Sequence, residues 1–186
     1  MASDARNRMI AGAARLLAQR GLEATSFSDI LDLTGAPRGS LYHHFPEGKD
    51  ELVSAAVDLA GAHAIALLDQ KAGATAEEIT KYFLNMWREL LVRSDFSTGC
   101  AVLAVAVETD SPDLLRHTAE VFRAWRKRLA ELLQQGGLAP KQAAQFAVTL
   151  IASSEGAVVL SRAETSLEPF EAVSEQLLDQ VRGMAQ

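Results

Sequence analysis

The chain has 186 residues and a net charge of −6, and 48% of its residues are hydrophobic while 23% are charged. This composition excludes a disordered or collagen-like chain, and the single cysteine excludes an internal disulfide and a cysteine-cluster metal site. The first 50 residues carry six acidic and six basic side chains, so the net negative charge lies after residue 50. A net acidic chain excludes a general nucleic-acid coat protein, but the balanced charge of the first 50 residues is compatible with a local DNA-binding face.

Helical periodicity runs through the sequence, and we find no strand-like alternation bounded by hairpin turns. A first helix is predicted over about residues 4–20, with Gly21 as its end. Two short helices follow, at about 27–33 and 38–45, and Pro46 ends the second. The apolar residues predicted to pack both short helices on the first are Ile30, Leu33, Leu41 and Phe45.

The remainder of the chain is predicted to form a bundle of longer helices. We therefore expect an all-α protein with three N-terminal helices at residues 1–48 and a helical bundle at residues 49–186. The capping box Thr75–Glu78, the prolines at the first turns and the glycines at the ends set the helix limits. The predicted helices cover about residues 49–71, 76–93, 100–108, 112–135, 140–162 and 167–181.

Residues 26–45 follow the helix-turn-helix pattern, in which two short helices are joined by a turn that contains glycine. Gly35 lies where the chain reverses, and Pro37 presets the first turn of the second helix. At about 100° per residue, burial of Leu41 and Phe45 turns the polar side chains outward, as a reading helix in a major groove requires. Residue spacing alone is equally compatible with an ordinary small helical domain.

Arg38 is expected either to form a bidentate hydrogen bond with a guanine or to bind a phosphate, and the sequence leaves both possibilities open. Tyr42 is better placed for a phosphate, as are the polar residues near helix N-termini. The residues predicted to contact DNA are Thr25, Ser26, Arg38, Gly39, Ser40, Tyr42, His43, His44 and Lys49.

Residues 5–53, with Thr25-Ser26-Phe27, the run Gly35–Pro46 and Lys49, resemble the DNA-binding domain of TetR-type transcriptional regulators. The run Gly35–Ser40 resembles the LmrA/YxaF-like branch, and the C-terminal pattern of that branch is matched by Gly99-Cys100, Trp125 and Glu155-Gly156. The chain departs from much of the family at Pro37, where serine or threonine is usual. The resemblance implies a helix-turn-helix DNA-binding domain at residues 1–48 and a ligand-binding and dimerisation domain at residues 49–186. It also implies a homodimer, a palindromic operator, and release of DNA when a small ligand binds the C-terminal domain.

A ligand pocket in a helical bundle is mostly apolar and aromatic, with a few polar groups that orient the ligand. Most candidates are equally well explained as core residues: Cys100 as a small core residue rather than a redox sensor, and His117 as a partly exposed helix residue. The indoles of Trp87 and Trp125 favour a planar, weakly polar ligand. The residues predicted to bind ligand are Phe83, Met86, Trp87, Cys100, Leu103, His117, Phe122, Trp125, Phe146, Leu150 and Ser154.

The last two predicted helices carry more apolar surface than a monomer is expected to expose. Two such helices and their copies would form a four-helix dimer interface around a two-fold axis. The residues predicted at this interface are Ala147, Ile151, Val158, Phe170, Leu177, Leu178 and Val181.

Three functional classes are compatible with an all-α chain of this size. An enzyme is disfavoured because no metal-binding, phosphate-binding or nucleophile motif is present, so no catalytic residue, metal site or cofactor is predicted. A ligand carrier without DNA binding leaves the surface at residues 38–45 unexplained. We therefore expect a cytoplasmic, ligand-responsive DNA-binding repressor that does not associate with membranes. The basic run Arg123–Arg128 is expected to be a solvated helix face with i,i+4 pairs rather than a DNA contact.

Overall fold

A computed structural model describes residues 2–184, with the side chains of residues 4–184. It confirms the all-α fold, and the helix ends lie within three residues of the predicted ones. Within the described residues there are nine helices and no strand. They are α1 (Ala2–Arg20), α2 (Phe27–Thr34), α3 (Arg38–His44), α4 (Lys49–Asp69), α5 (Ala76–Arg93), α6 (Ala101–Glu108), α7 (Pro112–Gln135), α8 (Pro140–Glu164) and α9 (Glu168–Met184).

The chain forms two compact units. The first unit combines Met1–His63 with Cys100–Phe122, and the second combines Ala64–Gly99 with Arg123–Gln186. The N-terminal helices thus share a unit with α6 and the first half of α7, an association that the sequence does not indicate. The functional boundary at residue 49 stays a prediction.

In the first unit, α1 packs against α2, α3 and α6. Ile30, Leu41 and Phe45 are buried as expected, and each such side chain contributes about 1.5–3 kcal/mol through burial. Leu33 also lies against α1, with its Cδ2 atom 3.7 Å from a Cβ built at Gly12, but it is 44% exposed and so contributes less burial than expected. Leu31, which was not among the predicted packing residues, is buried.

Gly12 lets α1 and α2 approach closely. A Cβ atom at this position would lie 2.5 Å from Cγ2 of Thr34, closer than real Cβ atoms come to a neighbour. The Thr34 hydroxyl donates to the Ile30 carbonyl oxygen at 2.7 Å, which holds the methyl group against α1. The small residue therefore sets the distance between the first two helices.

In the second unit, α5, α8 and α9 pack against one another. A capping box starts α5, since the Thr75 hydroxyl accepts the Glu78 N–H and the Glu78 carboxylate accepts the Thr75 N–H. Both α4 and α8 are long and apolar enough to cross a membrane by length and composition, with a mean hydropathy of 1.5. Half of the apolar stretch of α8 is buried within the protein, as in a core helix of a bundle.

Candidate nucleic-acid interface

A capping box fixes the start of α2. The Ser26 hydroxyl accepts the Asp29 N–H at 3.2 Å, and the Asp29 carboxylate accepts the Ser26 N–H at 3.0 Å. Hydrogen bonds from the Ser26 hydroxyl and backbone, together with the charge of Arg20, hold the pKa of Asp29 below its ordinary value. The carboxylate is thus kept ionised at the N-terminus of α2, where negative charge is favourable.

The turn between α2 and α3 follows from its glycine and proline. Gly35 has φ +64°, a left-handed conformation that favours glycine, and its N–H donates to the Leu31 carbonyl oxygen as α2 ends. No neighbouring atom lies within 4 Å of a Cβ built at Gly35, so the backbone angle alone requires the glycine. Pro37 precedes α3 and provides no side-chain cap, whereas the Ser40 hydroxyl donates back to the Pro37 carbonyl oxygen at 2.6 Å.

The outward side of α3 is polar. Leu41 is buried within the first unit, as is Phe45 directly after the helix. Tyr42 is 71% exposed, and its ring meets the ring of Phe27 edge-on with 6.4 Å between centroids. Arg38, Gly39 and His43 are exposed, and Ser40 and His44 are half-buried.

Two residues near this surface are held by backbone groups. Thr25 is fully buried and its hydroxyl donates to the Gly21 carbonyl oxygen at 2.6 Å, so its predicted place on the DNA-facing surface is wrong. The cause is the tight turn after α1, which folds the side chain inward. Lys49 is half-buried and donates from Nζ to the Leu22 carbonyl oxygen at 2.9 Å, whereas Ser26 is exposed.

Arg6 is a neighbour of α3 that sequence reasoning missed. Its guanidinium carbon lies 5.2 Å from the centre of the Phe45 ring, which brings a cation to the C-terminal end of α3. The rings of His43 and His44 also stand 5.1 Å apart on that helix. No sequence signal links residue 6 to residue 45, because the contact depends on how α1 packs against α3.

The predicted ligand-binding residues divide between the two units. In the first unit, Cys100 precedes α6 and its Sγ accepts the Leu103 N–H at 3.4 Å, while His117 places Nε2 2.9 Å from Oδ1 of Asp58. Leu103 and Phe122 are half-buried there. In the second unit the residues are buried (Phe83, Trp125, Phe146, Leu150, Ser154) or half-buried (Met86, Trp87).

Ser154 is distinctive among the buried side chains of the second unit. It has no exposed surface, and its hydroxyl has no hydrogen-bond partner in the described part of the chain. Such a group is costly, because a buried hydroxyl normally finds a partner. Ser161, two turns further along α8 and equally buried, shows the usual arrangement, since its Oγ accepts the Phe170 N–H at 3.2 Å.

The predicted dimer residues require a correction. Six of them face the interior of the second unit and are at most 7% exposed, so they form its core rather than a surface: Ala147, Ile151, Val158, Phe170, Leu177 and Val181. Leu178 is half-buried. The large apolar side chains that α8 exposes are Val148, Val159 and Leu160, and of these Leu160 lines a groove of about 790 Å³ together with Gly156, Ala172 and Val173.

Arg128, the last residue of the basic run on α7, is paired with acidic neighbours. Arg128 donates from Nε to Asp69 at 2.6 Å and from Nη1 to Glu131 at 3.2 Å. These hydrogen bonds, the one to Asp69 above all, raise the pKa of the guanidinium above its ordinary value. The pair with Glu131 has i,i+3 rather than i,i+4 spacing.

Two short helices on a supporting helix, with a capped start, a left-handed glycine turn and an outward polar face, define a helix-turn-helix protein. Comparison with known proteins then gives the family. Residues 9–56 match "Bacterial regulatory proteins, tetR family", and residues 76–176 match "Transcriptional regulator LmrA/YxaF-like, C-terminal domain". The chain therefore belongs to the TetR family of transcriptional regulators, in its LmrA/YxaF-like branch; it is a DNA-binding regulator and not an enzyme.

Individual relatives agree with this assignment over nearly the full length. The HTH-type transcriptional regulator Rv0196 of Mycobacterium tuberculosis is 37% identical over 179 residues, which cover 92% of this chain and 91% of the relative. YxaF of Bacillus subtilis is 30% identical, with 94% and 93% covered. The crystal structure of a TetR transcriptional regulator from Chloroflexus aurantiacus superposes with a TM-score of 0.78 at 28% identity, with 97% and 96% covered.

Proposed function

We propose that this regulator is a homodimeric repressor that binds a palindromic operator and releases it when a small, largely apolar or aromatic molecule binds the C-terminal domain. The observation that carries the proposal is the exposed polar face of α3, with Arg38, Gly39, Tyr42 and His43 directed away from buried Leu41. These residues are exposed rather than part of the buried core, Tyr42 adding only a ring contact with Phe27, and such a polar face is suited to contact with DNA.

On the operator, α3 enters the major groove, where Gly39 permits close approach and His43 offers hydrogen-bonding groups. Arg38 reads a guanine or binds a phosphate. The Tyr42 hydroxyl and Ser26 reach the phosphates on either side and fix the register of the protein on the duplex.

Dimerisation uses the exposed side of α8 and α9 rather than the residues buried between these helices. Val148, Val159 and Leu160 give this side an apolar surface, and Gly156 and Ala172 permit close packing of a second copy. A two-fold dimer presents two copies of α3, which read successive major grooves when they are about 34–36 Å apart.

The effector binds among the aromatic side chains of the second unit. Phe83, Trp125 and Phe146 supply apolar surface, and the buried Ser154 supplies a hydroxyl that has no hydrogen-bond partner among the described residues. The effector lowers DNA affinity because it favours a dimer conformation that fits the operator less well. Occupancy of the operator causes repression, since a bound dimer covers DNA that the transcription machinery needs. The protein acts in the cytoplasm.

Selection of bound duplexes from random DNA tests this function. We expect one short palindrome to be enriched, with an affinity that falls steeply as salt rises because phosphate contacts release counterions. The matched control is the Arg38→Ala variant, which keeps the fold and loses affinity. Failure to enrich any duplex, or enrichment of a single half-site bound by a monomer, would contradict the proposal.

A further inference from the structure

A carboxylate from α6 holds the turn between α1 and α2. Glu108, the last residue of α6, accepts the backbone N–H of Leu22 at 2.6 Å and that of Glu23 at 3.0 Å, both on Oε2. All of these residues lie in the first unit. Hydrogen bonds to an ionised acceptor are about twice as strong as those between neutral groups, so this carboxylate is a strong anchor for the turn.

Gly21 makes room for the carboxylate. It is buried with φ +84°, and a Cβ atom at this position would lie 2.8 Å from the carboxyl carbon of Glu108. Any other residue here would have to adopt a strained backbone conformation and also displace the carboxylate. Glycine at position 21 therefore allows the α1–α2 turn to pack closely against the Glu108 carboxylate at the end of α6.

The same turn is also bound from α4. Lys49 Nζ donates to the carbonyl oxygen of Leu22, whose N–H is bound by Glu108. Leu22 thus has both backbone groups held by side chains of opposite charge from two other helices. Because Ser26 begins the α2 cap four residues later, a turn fixed at Leu22 also fixes where α2 and α3 start.

We propose that Glu108 is a positioning residue for operator recognition: by fixing the α1–α2 turn on α6, it sets the orientation of α3 and so the half-site spacing that a dimer accepts. The inference rests on the proposed function, because spacing matters only to a paired reader. One base pair moves a half-site by about 3.4 Å along the duplex axis, so a firmly held reading helix discriminates between neighbouring spacings.

The experiment measures the affinity of the full-length protein for the selected palindrome and for duplexes whose centre is shortened or lengthened by one base pair. The wild type is expected to lose about tenfold or more in affinity on either change, as for a mismatched site. Glu108→Ala is expected to bind the original palindrome about tenfold more weakly, because two charge-assisted hydrogen bonds are lost. Its preference among the three spacings should fall to about threefold or less, since the α1–α2 turn is no longer fixed.

Two control variants separate positioning from DNA contact. Arg38→Ala removes a group from the DNA-facing surface and leaves the turn intact, so its affinity should fall equally for all three spacings. Glu108→Gln keeps an oxygen that can accept both N–H groups and should restore most of the spacing preference. If Glu108→Ala does not fold, Glu108→Asp takes its place, because its carboxylate is about 1.5 Å short of the turn.

The outcomes separate the two proposals. A folded Glu108→Ala or Glu108→Asp variant that keeps the wild-type preference among the three spacings would overturn the role of Glu108 while leaving the DNA-binding function intact. A wild-type protein that binds all three spacings equally would instead overturn the paired reader, and the role of Glu108 with it.

Discussion

The rings of Phe27 and Tyr42 meet edge-on at an interplanar angle of 72°, which ties the start of α2 to the exposed side of α3. This contact fixes the orientation of the Tyr42 ring and does not involve its hydroxyl group. Edge-to-face pairs contribute about 0.5–1.5 kcal/mol beyond the area they bury, so the ring and the hydroxyl have separable effects.

Tyr42→Phe is expected to keep the ring contact and lose only the hydroxyl. Operator affinity should fall by about a hundredfold or more, the value of two hydrogen bonds to charged groups, one from each protomer, with Tm changed by no more than about 1 °C. Tyr42→Ala should lower both affinity and Tm. Equal Tm losses in the two variants would show that the hydroxyl is structural. Thermal denaturation and a binding titration on the selected duplex measure these effects.

Arg38→Ala is expected to lower operator affinity by about tenfold or more without a change in Tm, because the side chain is exposed. A phosphate contact would reduce the slope of log affinity against log salt by about 0.9 per protomer and so by about 1.8 for the dimer, whereas a guanine contact would relax the preference at one base pair of each half-site. The control is Arg93→Ala, an exposed arginine on α5 outside the reading surface, which should bind like the wild type. Equal losses for both variants would refute a specific role for Arg38.

The capping box at α2 predicts a pH dependence of stability. Because the folded pKa of Asp29 is lowered, its contribution is fully present above the unfolded pKa of about 3.9 and is lost as the pH falls through the folded value. Asp29→Asn should therefore have a lower Tm than the wild type from pH 7 to pH 5, with the difference closing below about pH 4. Asp32→Asn removes an exposed carboxylate outside the capping box and serves as the control; a difference that persists at low pH would contradict this origin.

Two buried serines on α8 make a matched pair. Ser161→Ala leaves the buried Phe170 N–H without its acceptor and should cost about 1–3 kcal/mol, or about 2–12 °C in Tm. Ser154→Ala removes a hydroxyl with no partner among the described residues, so the Tm of the ligand-free protein should stay unchanged or rise. Thermal denaturation without added ligand compares them, and a similar loss for both variants would show that Ser154 is already satisfied.

The proposed dimer surface is tested by a charge on α8. Leu160→Asp should give monomers that bind the selected duplex poorly, because a carboxylate would be buried against the second copy. Val92→Asp places the same charge at an apolar position of α5 that is 50% exposed, against 51% for Leu160, and should leave the oligomeric state unchanged. Sedimentation velocity measures the oligomeric state, and an intact Leu160→Asp dimer would show that Leu160 does not lie in the interface. Leu178→Asp separately tests whether the half-buried end of α9 takes part.

The helix limits could be predicted because local chemistry decides them. Gly35 with its left-handed φ, Pro140 at the first turn of α8 and the Thr75–Glu78 box act within one or two turns of the chain. The outward face of α3 was predictable for the same reason, since burial of Leu41 and Phe45 determines the direction of every other side chain on a short helix.

What the sequence did not reveal depends on contacts between distant segments. The hydrogen bond from the Leu22 N–H to Glu108 joins the α1–α2 turn to the end of α6, and neither residue type marks it. Thr25 is equally compatible with a phosphate contact and with a buried hydroxyl until the turn is known. On α8, apolar residues cover more than one face, so periodicity does not distinguish Ile151, which is buried in the core, from exposed Leu160.

The division of labour on α3 has a consequence for how such regulators diversify. Leu41 and Phe45 supply the packing of this segment, while Arg38, Gly39 and His43 take no part in it. Exchanges at these three outer positions leave the apolar interior intact, so a variant library there could be screened on new promoters without first repairing the scaffold. Because these positions do not contribute to the packing, duplicated copies of the gene could acquire separate targets through very few mutations.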